Sequence, residues 1–191
     1  RTAPAGEPDT HDELRTINRN LLATLDYSWN PQWGITLQAP WLDRFHQHID
    51  NDPGGPELEQ WRFHRLGDVR VIGRYQFAGI PEYDYAAGVQ FGLKLPTGLT
   101  EVRNSDGTLA ERSLQPGSGT TDLILGVYYN APLSKNSGSW FIQGMAISAL
   151  NRHDDYRPGT TLTLNTGLNY ALNDQIGALL QLNISHRERD R

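Results

Sequence analysis

Between Tyr85 and Leu95 the chain alternates strictly. Tyr85, Ala87, Val89, Phe91, Leu93 and Leu95 fall on one side, and Ala86, Gly88, Gln90, Gly92 and Lys94 on the other. A period of two is the signature of a β-strand. Its recurrence in blocks of roughly ten residues, apolar positions alternating with small or polar ones, is how a membrane-crossing strand is written. The pattern predicts eight strands, at 15–28, 33–48, 65–78, 84–97, 120–131, 140–151, 160–172 and 176–188. Short connections at 29–32, 79–83, 132–139 and 173–175 alternate with long ones after the second, fourth and sixth strands. Outer-membrane barrels join short periplasmic turns to longer extracellular loops, so this alternation gives each strand a direction.

The alternation also assigns faces. In the third predicted strand Val69, Val71, Gly73, Tyr75 and Phe77 point to lipid, leaving Asp68, Arg70, Ile72, Arg74 and Gln76 inside. In the seventh, Leu162, Leu164, Leu168, Tyr170 and Leu172 point out, and Thr161, Thr163, Asn165, Gly167 and Asn169 point in. The sixth resists assignment, because Trp140/Ile142 and Phe141/Met145/Ile147 compete for the outer face. Aromatic residues gather at strand ends, as expected where a ring and its polar edge meet the headgroup zone. Trp29, Trp33, Tyr75, Phe77, Tyr83, Tyr85, Tyr128, Tyr129, Trp140 and Phe141 form a girdle on the short-turn side, and Trp41, Phe45, Trp61, Phe63 and Tyr156 a second one opposite.

Composition changes the picture by exclusion. The hydrophobic share is 37% over 191 residues, mean hydropathy is -0.57, and no apolar run approaches the ~20 residues of a transmembrane helix. The chain is therefore a soluble β-protein or a transmembrane antiparallel up-and-down β-barrel in one domain, 1–191. The soluble alternative is a lipocalin-like ligand-binding barrel, whose alternation is the same with inside and outside exchanged. Aromatics at strand ends, and charges kept off the apolar face, favour the membrane. With no cysteine there is no disulfide, no thiolate zinc site and no cysteine nucleophile. A formal net charge of -5 argues against a nucleic-acid partner.

Candidate chemistry lies on the inward face. Asp26, Asp68, Arg70, Arg74, Gln90, Lys94 and Asp122 are expected to line the lumen. Acids and bases there invite two accounts that can hold together: pairing across the wall, as confined charges must, and a charged constriction that selects solutes. All six histidines fall on the long-loop side. Among them His46, His48 and His64 share inward parity near Asp50, Asp52, Asp154 and Asp155, a candidate divalent-metal rim. No phosphate-binding loop, H-E-x-x-H or G-x-S-x-G is present. No enzyme activity and no cofactor are expected.

Three segments carry a resemblance: L-G-D-V-R-V-I-G-R-Y-Q-F at 66–77, G-L-K-L-P-T-G at 92–98 and L-Q-P-G-S-G-T-T-D-L at 114–123. Together they resemble the outer-membrane transporters associated with the meta-pathway of phenol degradation. That resemblance implies a barrel of about a dozen strands that passes small solutes, aromatic or hydrophobic compounds among them. With short turns periplasmic, an eight-stranded segment would have both ends outside the cell, so the chain is expected to be an internal segment of a longer barrel. The expected function is passive transport across the bacterial outer membrane, with lipid and lipopolysaccharide around the wall and extracellular loops as a surface for a protein partner. A non-transporting barrel serving as a docking component is the alternative.

Overall fold

The computed structural model describes residues 11–52, 55–79, 84–133, 138–173 and 175–191. Tyr83 and most of the second short connection lie outside the described residues, as do the middle of the third, Asp174 in the fourth, and the Asp52 side chain.

Within the described residues the protein is an all-β antiparallel sheet of nine strands. They are β1 (His11–Ser28), β2 (Trp33–Asp52), β3 (Gly55–Leu66), β4 (Val69–Gln76), β5 (Ala86–Leu95), β6 (Asp122–Pro132), β7 (Gly138–Ala149), β8 (Thr161–Ala171) and β9 (Gly177–Arg187). The order is β1-β2-β4-β5-β6-β7-β8-β9, with β3 pairing β2 alone. Sequence neighbours are thus sheet neighbours, as an up-and-down arrangement requires, except where β3 intervenes. The path is open, with β1 and β9 at its two ends.

β3 is the main departure from the expected strands. Residues 49–63 read as a long loop because Asn51-Asp-Pro-Gly-Gly-Pro56 is a cluster of turn formers. The chain instead makes a long hairpin, pairing Asp52 with Gly55 and continuing to Trp41 with Leu66. The other eight strands fall within a few residues of their predicted positions.

The chain divides into two compact units: Arg1–Ala23, Gln38–Val69 and Pro96–Gly119 form one, Thr24–Leu37, Arg70–Leu95 and Thr120–Arg191 the other. In the first, the 96–119 segment is laid on one face of the β2–β3 hairpin. Trp61, Ala110 and Leu114 make a buried cluster there, the Trp61 indole N–H donates to the Thr108 carbonyl at 3.1 Å, and Arg44 donates to the Ser113 carbonyl at 2.9 Å. Trp61 is 2% exposed and Phe63 6%. These two rings therefore pack beneath a folded loop and do not belong to an outer girdle; Trp41 remains exposed.

In the second unit, register fixes the faces of β5 to β9. Val89, Val127, Gly144, Leu164 and Ile184 form one cross-strand row. Side chains directly opposite share a face, so Phe91, Leu125, Ala146 and Leu162 lie beside them. This settles β7: Trp140, Ile142, Gly144 and Ala146 are on the apolar face, and Phe141, Gln143, Met145 and Ile147 on the other. Two rings assigned to the short-turn girdle, Tyr128 and Phe141, are thereby moved to the polar face. Described members of the rest of that girdle touch one another along the sheet margin: Trp33 lies 4.7 Å from Tyr75, Tyr85 stacks on Tyr129 at 5.6 Å, and Tyr129 meets Trp140 at 5.2 Å.

Candidate functional site

The apolar face of the second unit is exposed. Val127 is 60% accessible, and Leu125, Leu162 and Ile184 are each 51%. On β5 to β9 this face carries no Asp, Glu, Lys or Arg. Burying such residues against solvent-excluded material is worth about 25 cal/mol per Å², and a water-soluble protein rarely leaves so continuous a patch uncovered.

The opposite, polar face holds the candidate lumen residues of this unit. Lys94 and Asp122 stand directly opposite each other on β5 and β6 and form an ion pair of 2.8 Å with both side chains buried. Thr120, fully buried, donates its hydroxyl to Asp122 at 2.7 Å. Removing one partner from such a pair typically costs ~3–5 kcal/mol, because the other is left charged and dry. Gln90 accepts a 2.6 Å hydrogen bond from Gln143. That bond passes over β6 at Gly126, where a Cβ would stand 3.1 Å from the Gln90 side-chain oxygen. Arg74 donates to Ser28 at 2.8 Å and to Gln76, Asp26 accepts from Thr36, and Arg70 is half-buried on β4. Of the acids and bases expected on this face, the structure joins Lys94 and Asp122 directly and gives Asp26 and Arg74 uncharged partners.

Asp68 lies just before β4, in the first unit, and binds backbone. One carboxylate oxygen accepts from the Gly98 N–H at 3.0 Å, and the other from the Ser118 N–H and hydroxyl, each at 2.9 Å. Thr97 bridges the same place, donating to the Gly67 carbonyl and accepting from the Val69 N–H, both at 2.9 Å. Gly98 and Gly117 touch backbone to backbone, where a Cβ on either would collide with the other. Asp68 is thus a fastening between the ends of the 96–119 segment, a role the alternation of the strand could not reveal.

The histidines divide. His46 and His48, each 5% exposed, form a chain in the first unit: Thr16 to His46 Nδ1 at 2.8 Å, His46 Nε2 to His48 Nδ1 at 3.0 Å, and His48 Nε2 to Glu59 at 3.1 Å. Trp61 lies 5.2 Å from His48. His64 is across the strand from Asp43, to which it bonds at 3.1 Å, and therefore on the opposite face from His46 and Trp61. The inward parity assumed for His64 fails because β3 is a separate strand whose register the sequence does not carry. Among the described residues no group of three or more His, Asp or Glu side chains is placed to hold a metal ion.

At the end of β9 the chain closes on the loop before β8. Asp190 accepts from Gly159 N–H at 2.8 Å, Tyr156 hydroxyl at 3.0 Å and Arg187 at 2.7 Å. Burial raises the Asp190 carboxyl, but these three donors outweigh it and hold the group below the ordinary carboxylate range. Burial first, then the Asp190 bond and charge, push the Tyr156 phenol up.

Comparison with protein-family models and with curated proteins finds no match to this chain.

Proposed function

We propose that this chain forms wall of a transmembrane β-barrel in a bacterial outer membrane and lets small solutes pass along its polar face. The observation that carries this reading is the exposed, charge-free apolar face of β5 to β9 set against a polar face whose strongest charges are paired. In a soluble barrel the apolar face would be the more buried of the two; in lipid the distribution is reversed. The aromatic contacts between Trp33 and Tyr75 and among Tyr85, Tyr129 and Trp140 supply the interfacial belt such a wall needs. Among the described residues the strand path is open between β1 and β9, which fits part of the wall of a larger barrel of about a dozen strands.

The likeness to the outer-membrane transporters of phenol meta-pathway degradation belongs to the same reading. Its motifs are the residues that fasten the 96–119 segment: Gly67 and Asp68, Thr97 and Gly98, Gly117 and Ser118. The test is reconstitution of the full chain from denaturant into detergent and then into liposomes. Folding that requires detergent or lipid, followed by swelling of the liposomes in isotonic small solutes, is the expected result. A folded monomer in plain buffer overturns the membrane assignment, and a folded, inserted protein that passes no solute overturns transport.

A further inference from the structure

We infer that the polar face of β5 to β9 is a binding track for an uncharged, hydroxyl-rich solute of the oligosaccharide class, a deepening that rests on the channel reading above. Register places Gln143, Asn165 and Asn183 in one row across β7, β8 and β9. Gln90 joins the row by its bond to Gln143, and Gln181 by donating to Asn183 at 2.9 Å. Neighbouring strands are ~4.8 Å apart, so a solute lying across them meets an amide at successive steps.

The side-chain chemistry selects the ligand. A hydroxyl donates and accepts at once, and among neutral side chains the amide offers two donors and an acceptor on one rigid plane. Lys and Arg only donate, and carboxylates only accept. Here the charged groups are withdrawn: on this face of β5 to β9 the charged side chains are Lys94, Asp122 and Arg187, and each has an opposite charge, at 2.8 Å for the first two and 2.7 Å for Arg187 with Asp190. Arg74, at the neighbouring strand, has its guanidinium turned to Ser28 and Gln76. The row itself is uncharged, so a polyol finds donors and acceptors along it, while Arg74, whose partners Ser28 and Gln76 are neutral, stands on β4 outside it. Phe141, which register also places on this face, lies over Gly167, where a Cβ would stand 2.5 Å from its ring. It supplies the flat apolar surface that the C–H side of a sugar ring covers.

The experiment uses the refolded full chain in detergent micelles, with maltotriose as probe and phenol as the comparison, and calorimetric titration as the readout. Maltotriose is expected to bind, phenol to leave its isotherm unchanged, and Asn165→Leu or Gln143→Leu to weaken binding roughly tenfold through lost hydrogen bonds. Asn165→Gln, which keeps the amide, should retain more of the binding than Asn165→Leu does, and Leu168→Ala on the apolar face should bind as the parent does. Absence of maltotriose binding to the folded parent overturns the inference, as does binding that both Leu variants leave intact or that phenol displaces. Bilayer recordings separate the two proposals. A conducting protein that ignores maltotriose keeps the channel and loses the track, and one that binds maltotriose without conducting does the reverse.

Discussion

At the scale of single residues, Asp68 does more than its sequence position suggests. Its carboxylate is the acceptor for two backbone N–H groups and one hydroxyl from two segments distant in sequence. Hydrogen bonds to a charged group each contribute ~1.5–3 kcal/mol, and allowing for partial exposure Asp68→Ala should cost ~3 kcal/mol in denaturant unfolding. The same variant should expose 99–116 to limited proteolysis, while Asp68→Asn should lose about half as much, having kept one acceptor. Asp190 gives the matching acid response. Because its folded-state pKa is depressed, its contribution is present above the unfolded carboxylate value and is lost as pH falls through the folded one, below about pH 4. Amide exchange at Gly159, corrected for intrinsic pH dependence, should accelerate in that window, and in Asp190→Asn the acceleration should be absent. Alternation along a strand placed Lys94 and Asp122 together, since both carry the inward parity of adjacent strands. It could not place Asp68, whose partners are backbone groups of a loop, or His64, whose face depends on a pairing.

Elements show where pattern is informative and where it stops. β5 and β8 were legible because one face is uniformly apolar in β5 and apolar but for Thr166 in β8. β7 was not, because Trp140 and Ile142 alternate with Phe141 and Met145, and only its register with Leu125 and Val127 separates them. β3 was hidden for a different reason. Its two faces are Glu59, Trp61 and Phe63 against Leu58, Gln60, Arg62 and His64, so neither is the continuous apolar side that marks a lipid-facing strand, and its rings serve a loop. The turn before β8 is a further element-scale case. His153 and Tyr156 exchange two backbone hydrogen bonds of 2.9 Å across Asp154 and Asp155, both at positive φ, 49° and 59°. That is the geometry of a type I′ turn, which favours Gly at its second position. Asp155→Gly should therefore stabilise the protein by ~0.5 kcal/mol, and Asp155→Val should destabilise it by ~1–2 kcal/mol, read from denaturant midpoints.

At the scale of the whole molecule, the membrane reading makes the two faces unequal in their tolerance of charge. Val127→Arg, in the middle of the apolar face of β6, should cost ~2–4 kcal/mol for folding into phosphatidylcholine vesicles, the penalty of a cation near the bilayer midplane. Thr163→Arg, on the polar face of β8, should change the folding free energy by less than ~1 kcal/mol. Equal costs for the two would mean that the sheet does not have lipid on one side.

The backbone contact between Gly98 and Gly117 has a consequence of another kind. Because the segment leaves and returns at a single point pinned by Asp68, whatever is spliced between those glycines begins and ends at the same place. The entropy of closing a longer insert grows only by about 0.6 kcal/mol per doubling of its length. Residues 99–116 are thus an exchangeable cassette: a foreign epitope or a sensor peptide inserted there would forfeit the contacts with Arg44 and Trp61, yet keep the clasp at its base.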